Sequence, residues 1–169
     1  MRRLLILRHA KAEPFSGADD FARTLTERGR ADAQKIGAFL ADQNLSPDRA
    51  IYSGAARTRE TFEIVAAGQP RRFEAEAQNA LYEASRFLIL GLLRELPAAA
   101  RTHLVVGHNP GMADIASLLA GEGGAMERLR MASKFPTGAL AVIAFDRPDW
   151  SDLGQGVGRL ERFVTPADL

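Results

Sequence analysis

Leu4-Leu5-Ile6-Leu7-Arg8-His9-Ala10 is the stretch that decides the fold. Four apolar residues run together without alternation and stop abruptly at a cation and an imidazole. An unbroken apolar run of this length, closed by polar residues, predicts a short strand buried on both faces. A strand of that kind needs helices on both sides of its sheet. The run is too short for the apolar segment of a signal peptide, and nothing elsewhere approaches a membrane-spanning length.

Outward from this stretch the same pattern recurs twice. Ala50-Ile51-Tyr52 predicts a second strand, followed at once by Ser53 and, a helical turn later, by Arg57. His103 to Val106 predicts a third, followed by Gly107-His108-Asn109-Pro110. Helical patterns lie between them. Thr26 is a ready N-cap with Glu27 in the first turn, and Ile36, Phe39 and Leu40 then share a face. A second helix is expected to start at Ser53, with Thr58, Phe62 and Val65 on one side. A third spans Ser85 to Leu96, closed by Pro97, and a fourth starts at Pro110 and runs to about Leu119. Glu13 to Arg23 and Gly121 to Gly124 read as loops. A short strand is possible near Phe73 to Ala77. Ala139 to Phe145 is a continuous apolar strand, and Leu160 to Val164 reads as an edge strand. Strands alternating with helices predict an α/β fold, a three-layer α/β/α sandwich with a mostly parallel sheet, built as one domain over residues 1–169.

Composition narrows the chemistry. The chain has 169 residues, of which 46% are hydrophobic and 25% charged, ordinary for a globular protein. Lys plus Arg is 22 and Asp plus Glu is 21, so the net charge is +1 and offers no footprint for nucleic acid or an anionic membrane. There is no cysteine, which excludes disulfides, Cys-ligated zinc, iron–sulfur clusters and thiol nucleophiles. Chemistry that needs histidine must use His9, His103 or His108, the only three. The expected compartment is the cytoplasm.

Ligands of open α/β sheets collect beyond the carboxyl ends of the strands. Arg8, His9, Arg57 and His108 all fall there. Two arginines can grip a phosphate dianion through planar forks of donors. They also press a neighbouring histidine toward its neutral form, which has a lone pair able to attack phosphorus. A second histidine can stabilise the transferring group beside the arginines. No metal or cofactor is required. His103 starts its strand, away from that end, and is expected to be structural or solvent-facing. Arg71-Arg72 reads as a solvated charge pair, and Trp150 as packed in a turn.

Those residues carry a resemblance. Arg8-His9-Ala10 resembles the Arg-His-Gly signature of the histidine phosphatase superfamily, which includes the cofactor-dependent phosphoglycerate mutases. Leu25-Thr26-Glu27-Arg28-Gly29, the run from Ser53 to Thr61, and Gly107-His108-Asn109-Pro110-Gly111 resemble its further motifs in order. Arg8-His9-Ala10-Lys11, Lys134-Phe135-Pro136-Thr137 and Phe163-Val164-Thr165-Pro166 are similar to the SixA-type phosphohistidine phosphatases. The chain departs from the wider superfamily at Ala10, where Gly is usual, and at Gly54, where Pro is common.

The resemblance implies a phosphoglycerate mutase-like fold, His9 as nucleophile, and Arg8, Arg57 and His108 as the rest of the phosphate pocket. Leu81-Tyr82-Glu83 resembles the motif that supplies a general acid, which makes Glu83 the candidate. An alkoxide leaving group needs such an acid, whereas a departing imidazole needs less help. Thr137, in the turn before residues 139–145, is a candidate to line the pocket. The implied substrate is a phosphohistidine on a signalling or phosphotransfer protein. Alternatives are a small phosphoester, or phosphoprotein binding without turnover. A mutase is less consistent with the short chain, because it must close its site against water. A metal site of His9, His108 and Glu83 is less consistent with two neighbouring arginines.

Overall fold

The computed structural model describes residues 1–169. Its order is β1 (Arg2–Arg8), α1 (Glu27–Asp42), β2 (Arg49–Tyr52), α2 (Ala56–Ala67), β3 (Glu74–Ala77), α3 (Arg86–Arg94), β4 (Thr102–Gly107), α4 (Gly111–Leu119), β5 (Ala120–Gly123), α5 (Ala125–Ser133), β6 (Leu140–Phe145) and β7 (Gly158–Val164). The seven strands form one sheet in the order β3-β2-β4-β1-β6-β7-β5. Only β6 runs against the others, as its antiparallel pairing with β1 and β7 shows. No helix is long and apolar enough to cross a membrane.

β1 explains the layering. Leu4 and Ile6 point into a core shared with α3, α4 and α5, through Ile89, Ile115 and Met131. Leu5 and Leu7 point the other way, onto Ile36 and Leu40 of α1 and Val65 of α2. All four β1 residues are fully buried. Truncating one to Ala removes transfer energy and leaves a cavity, a loss of about 2–5 kcal/mol. The result is the expected α/β/α sandwich.

Parallel register brings the strand ends into line. Leu7 pairs with Val106 and Arg8 with Gly107, while Tyr52 also pairs with Val106. The next residues stay stitched together: His9 N–H donates to Gly107 O at 3.0 Å and Ser53 N–H to Val106 O at 3.0 Å. The expected starts of α1 and α3 hold, with the side chains of Thr26 and Ser85 accepting from Gly29 and Leu88 N–H.

Several details differ from expectation. α2 begins at Ala56 rather than Ser53, because Ser53 is still held in the sheet and its side chain is used elsewhere. Residues 121–124 are not a free loop. Most of that run is β5, paired in parallel with β7. Gly121 is needed because a Cβ there would lie 2.1 Å from the Gly156 carbonyl oxygen. It follows that β7 is interior and β5 and β3 are the edges. α5 had no apolar stripe to announce it, since Met131 is its only buried residue. Of the two readings of His103, structural or solvent-facing, the structure supports the first: the ring is buried, edge-on to Trp150 at 5.2 Å.

Candidate active site

The chain leaves β1 into the site through a close backbone packing. Lys11 O accepts from the Thr26 N–H at 2.9 Å, and a Cβ on Gly29 would sit 2.0 Å from the same oxygen. Glycine at position 29 therefore lets the first turn of α1 lie against the segment after His9. Ala10 is fully buried and its N–H donates to Thr61 Oγ1 at 3.0 Å.

The structure brings His9, His108, Arg8 and Arg57 together. The two imidazoles lie with ring centroids 5.4 Å apart and both are buried. His9 Nδ1 is 2.7 Å from Ala10 O. A carbonyl only accepts, so Nδ1 carries the hydrogen and Nε2 keeps the lone pair. Burial pushes the His9 pKa down to about 3, with the charges of His108, Arg8 and Arg57 adding to it and the Ala10 hydrogen bond opposing. Burial and then Arg57 push His108 down to about 4. Both rings are neutral near pH 7. His108 Nε2 is 2.8 Å from Ser53 Oγ, which itself accepts from Ala55 N–H at 3.4 Å. Ser53 O–H is thus free to donate to Nε2. With that donation the hydrogen sits on His108 Nδ1, a buried atom with no partner in the protein.

Asp20, within the segment expected as a loop, holds the second arginine. Arg57 Nη1 donates to Asp20 O at 2.9 Å and Nη2 to Asp20 Oδ2 at 3.2 Å. The same carboxylate accepts from the Tyr82 hydroxyl and, at 2.8 Å, from Arg23 Nε. The Tyr82 bond first, then Arg23 and Arg57, hold the Asp20 pKa down to about 2. Tyr82 stands edge-on to His108 at 5.3 Å, with the Arg57 guanidinium 5.9 Å above its ring. Arg57 Nε and Arg8 Nε are buried without partners. Arg8 Nη1 donates to Phe135 O at 3.0 Å, and Asn109 Nδ2 donates to the same oxygen at 2.8 Å. Ser53 was visible only as a motif residue. Asp20 and Tyr82 meet Arg57 from positions far apart in the chain.

A sequence model of the histidine phosphatase superfamily, branch 1, matches residues 4–101. The chain belongs to this superfamily. An uncharacterized protein of Mycobacterium tuberculosis is 30% identical over 162 residues, covering 95% of this chain and 99% of that one. Among solved structures, a protein assigned as the phosphohistidine phosphatase SixA of Agrobacterium tumefaciens is 30% identical, with a TM-score of 0.82 over 98% of both chains. One assigned likewise from Nakamurella multipartitia is 27% identical, with a TM-score of 0.86 over 98% of this chain and 96% of that one. The chain is a histidine phosphatase of the SixA type, with the phosphoglycerate mutase-like fold.

The remaining two sequence candidates of this histidine phosphatase are placed differently. Glu83 is exposed and lines a cleft of about 520 Å³ together with Arg57, Tyr82, His108 and Pro110. Its φ of 56° sets it in the left-handed region. Thr137 does not line that cleft. It lines a second groove with Lys11 and Lys134. No three His, Asp or Glu side chains converge as a metal site would need.

Proposed function

We propose that this phosphatase is metal-independent and hydrolyses phosphohistidine on a protein, through a covalent phosphate on Nε2 of His9. One observation carries the reading: the Nδ1–H of His9 is tied to Ala10 O, so a buried, neutral ring holds its free lone pair among two arginines and a second histidine. Arg8 and Arg57 supply the positive charge that grips the phosphoryl oxygens and neutralises them as phosphorus is attacked. His108 donates from Nδ1 to one of those oxygens when the Ser53 hydroxyl donates to its Nε2.

In the first step the Nε2 lone pair bonds to phosphorus and the bond to the substrate imidazole breaks. That imidazole leaves with the electron pair and takes a proton if it does not already carry one. In the second step water attacks phosphorus, the bond to Nε2 breaks, and inorganic phosphate and neutral His9 remain. Nothing in this sequence demands a strong general acid.

Glu83 favours a second reading, hydrolysis of a small phosphoester. It stands on the cleft beside Arg57 and His108, where an acid for an alkoxide would be needed. The deciding experiment gives wild type and His9→Ala a phosphohistidine-bearing phosphotransfer protein and, separately, an aryl phosphate, both with EDTA. The expected result is loss of the protein phosphate with wild type alone. Turnover of the aryl phosphate without the phosphoprotein supports the second reading, and full activity in His9→Ala overturns the nucleophile.

A further inference from the structure

The groove that holds Thr137 is cationic and unused by the chemistry above. It has a volume of about 530 Å³ and four basic residues on its walls, Lys11, Arg28, Arg130 and Lys134, against one carboxylate, Asp32. Arg28 is 3.5 Å from Asp32, and Arg130 is 2.5 Å from Asp168. Lys11 and Lys134 line the groove, are exposed and form no ion pair, so two free cations stand along it.

Its place in the fold ties it to His9. Lys11 follows β1, Pro136 and Thr137 precede the reversed strand β6, and Thr165 follows β7. All four therefore lie at the end of the sheet that carries His9. Lys11 is two residues from His9, so its Cα is within about 8 Å of the His9 Cα. Gly138 N–H donates to His9 O at 2.9 Å, and the Phe135 carbonyl takes the Arg8 and Asn109 bonds. The segment that carries Pro136 and Thr137 is thus fastened, through Phe135 and Gly138, to the backbone of the nucleophile and to the phosphate-gripping arginine.

We infer that this groove receives an acidic stretch of polypeptide flanking the phosphorylated residue of the substrate protein. The inference rests on the protein-phosphohistidine reading for its biological meaning, but the groove can be tested apart from it. The chemistry selects the occupant. A site for a single small anion uses donors already held in place by other protein groups, as Arg8 and Arg57 are. Here the free charges sit on long, flexible, exposed stems spread along the groove, beside the hydroxyls of Ser133 and Thr137 and the Phe163 ring. Such point charges match carboxylates distributed along a chain.

The test uses the whole protein and a fluorescent, unphosphorylated peptide rich in Asp and Glu, with its Asn/Gln counterpart as control, followed by anisotropy. The acidic peptide should bind wild type more tightly than the neutral one. Lys11→Glu and Lys134→Glu should each weaken it by about five- to tenfold at low salt, the size of one or two exposed charge pairs. Arg72→Glu changes the net charge equally but lies before β3, which runs parallel with β1, and so sits at the opposite end of the sheet. It should change binding by less than about twofold. Equal loss in Arg72→Glu, or no loss in the two lysine variants, overturns the inference. The same pair of sequences carrying phosphohistidine is then given as substrate. The ratio of kcat/KM for acidic over neutral should fall in Lys134→Glu. Peptide binding to the groove with neither phosphopeptide hydrolysed leaves the groove standing and removes the phosphohistidine reading.

Discussion

Lowering the pH from 7.5 to 4.5 should destabilise the protein through its buried histidines, and the size of the effect follows from their environments. His9, with a folded pKa of about 3, and His103 and His108, each about 4, are all held neutral chiefly by burial. In the unfolded chain each titrates near pH 6.5. Below that value the unfolded state binds protons that the folded state refuses. Stability is then lost as pH falls from about 6.5 toward 4, and it rises with pH through the same window. At pH 4.5 the linkage amounts to roughly 2.5 kcal/mol for each histidine and about 7–8 kcal/mol for three, comparable to the whole stability of many domains. Asp20, with a folded pKa of about 2, acts in a lower window, because its contribution is lost only below its unfolded value near 4. The assay is urea unfolding followed by the single tryptophan, Trp150, which is fully buried. His9→Asn and His108→Asn should each remove about a third of the difference between the two pH values, whatever their own stability. Equal unfolding free energies at pH 7.5 and 4.5 in wild type, or the full difference retained in both variants, would refute the claim that these rings are neutral. That same neutrality gives His9 its lone pair.

Three further outcomes are expected. Asp20→Asn keeps the size of the side chain but removes the charged acceptor for Arg57, Arg23 and Tyr82, so steady-state kcat/KM should fall about tenfold. Much of that fall should appear as a higher KM; wild-type kinetics would remove Asp20 as the residue that positions Arg57. Glu83→Gln should reduce turnover of an alkyl phosphate by about a hundredfold if Glu83 is its acid, and reduce phosphohistidine hydrolysis far less. Equal losses on the two substrates would show one role for Glu83 in both. Gly29→Ala forces a Cβ toward the Lys11 carbonyl oxygen, and thermal melting should show a loss of about 2 kcal/mol or more; an unchanged Tm would mean that the start of α1 is not packed as described.

What could be read from the sequence was what local pattern encodes. β1 and β4 are apolar on both faces, and the caps of α1 and α3 sit where Thr26 and Ser85 stand. Their carboxyl ends therefore predicted where Arg8, His9 and His108 gather. β5 was hidden because its glycines have poor strand propensity and are there for a close backbone approach. α5 was hidden because its apolar residues do not mark one buried face: Met126 and Leu129 are exposed and only Met131 is buried. Asp20 looked like a turn residue, and nothing local distinguishes it from Asp19 beside it. Its role depends on Arg57 and Tyr82, 37 and 62 positions away, which only the packed sheet brings near. The Ser53–His108 bond is of the same kind, spanning 55 positions.

The central claim is that phosphate passes through Nε2 of His9. The most direct test is to mix the enzyme with a radiolabelled phosphohistidine protein, quench within milliseconds into alkali, and map the labelled peptide. The account predicts an acid-labile, alkali-stable phosphate on the peptide containing His9, absent from His9→Ala and chased to inorganic phosphate by unlabelled substrate. Label on His108 or on another residue, or steady turnover in His9→Ala, would contradict it.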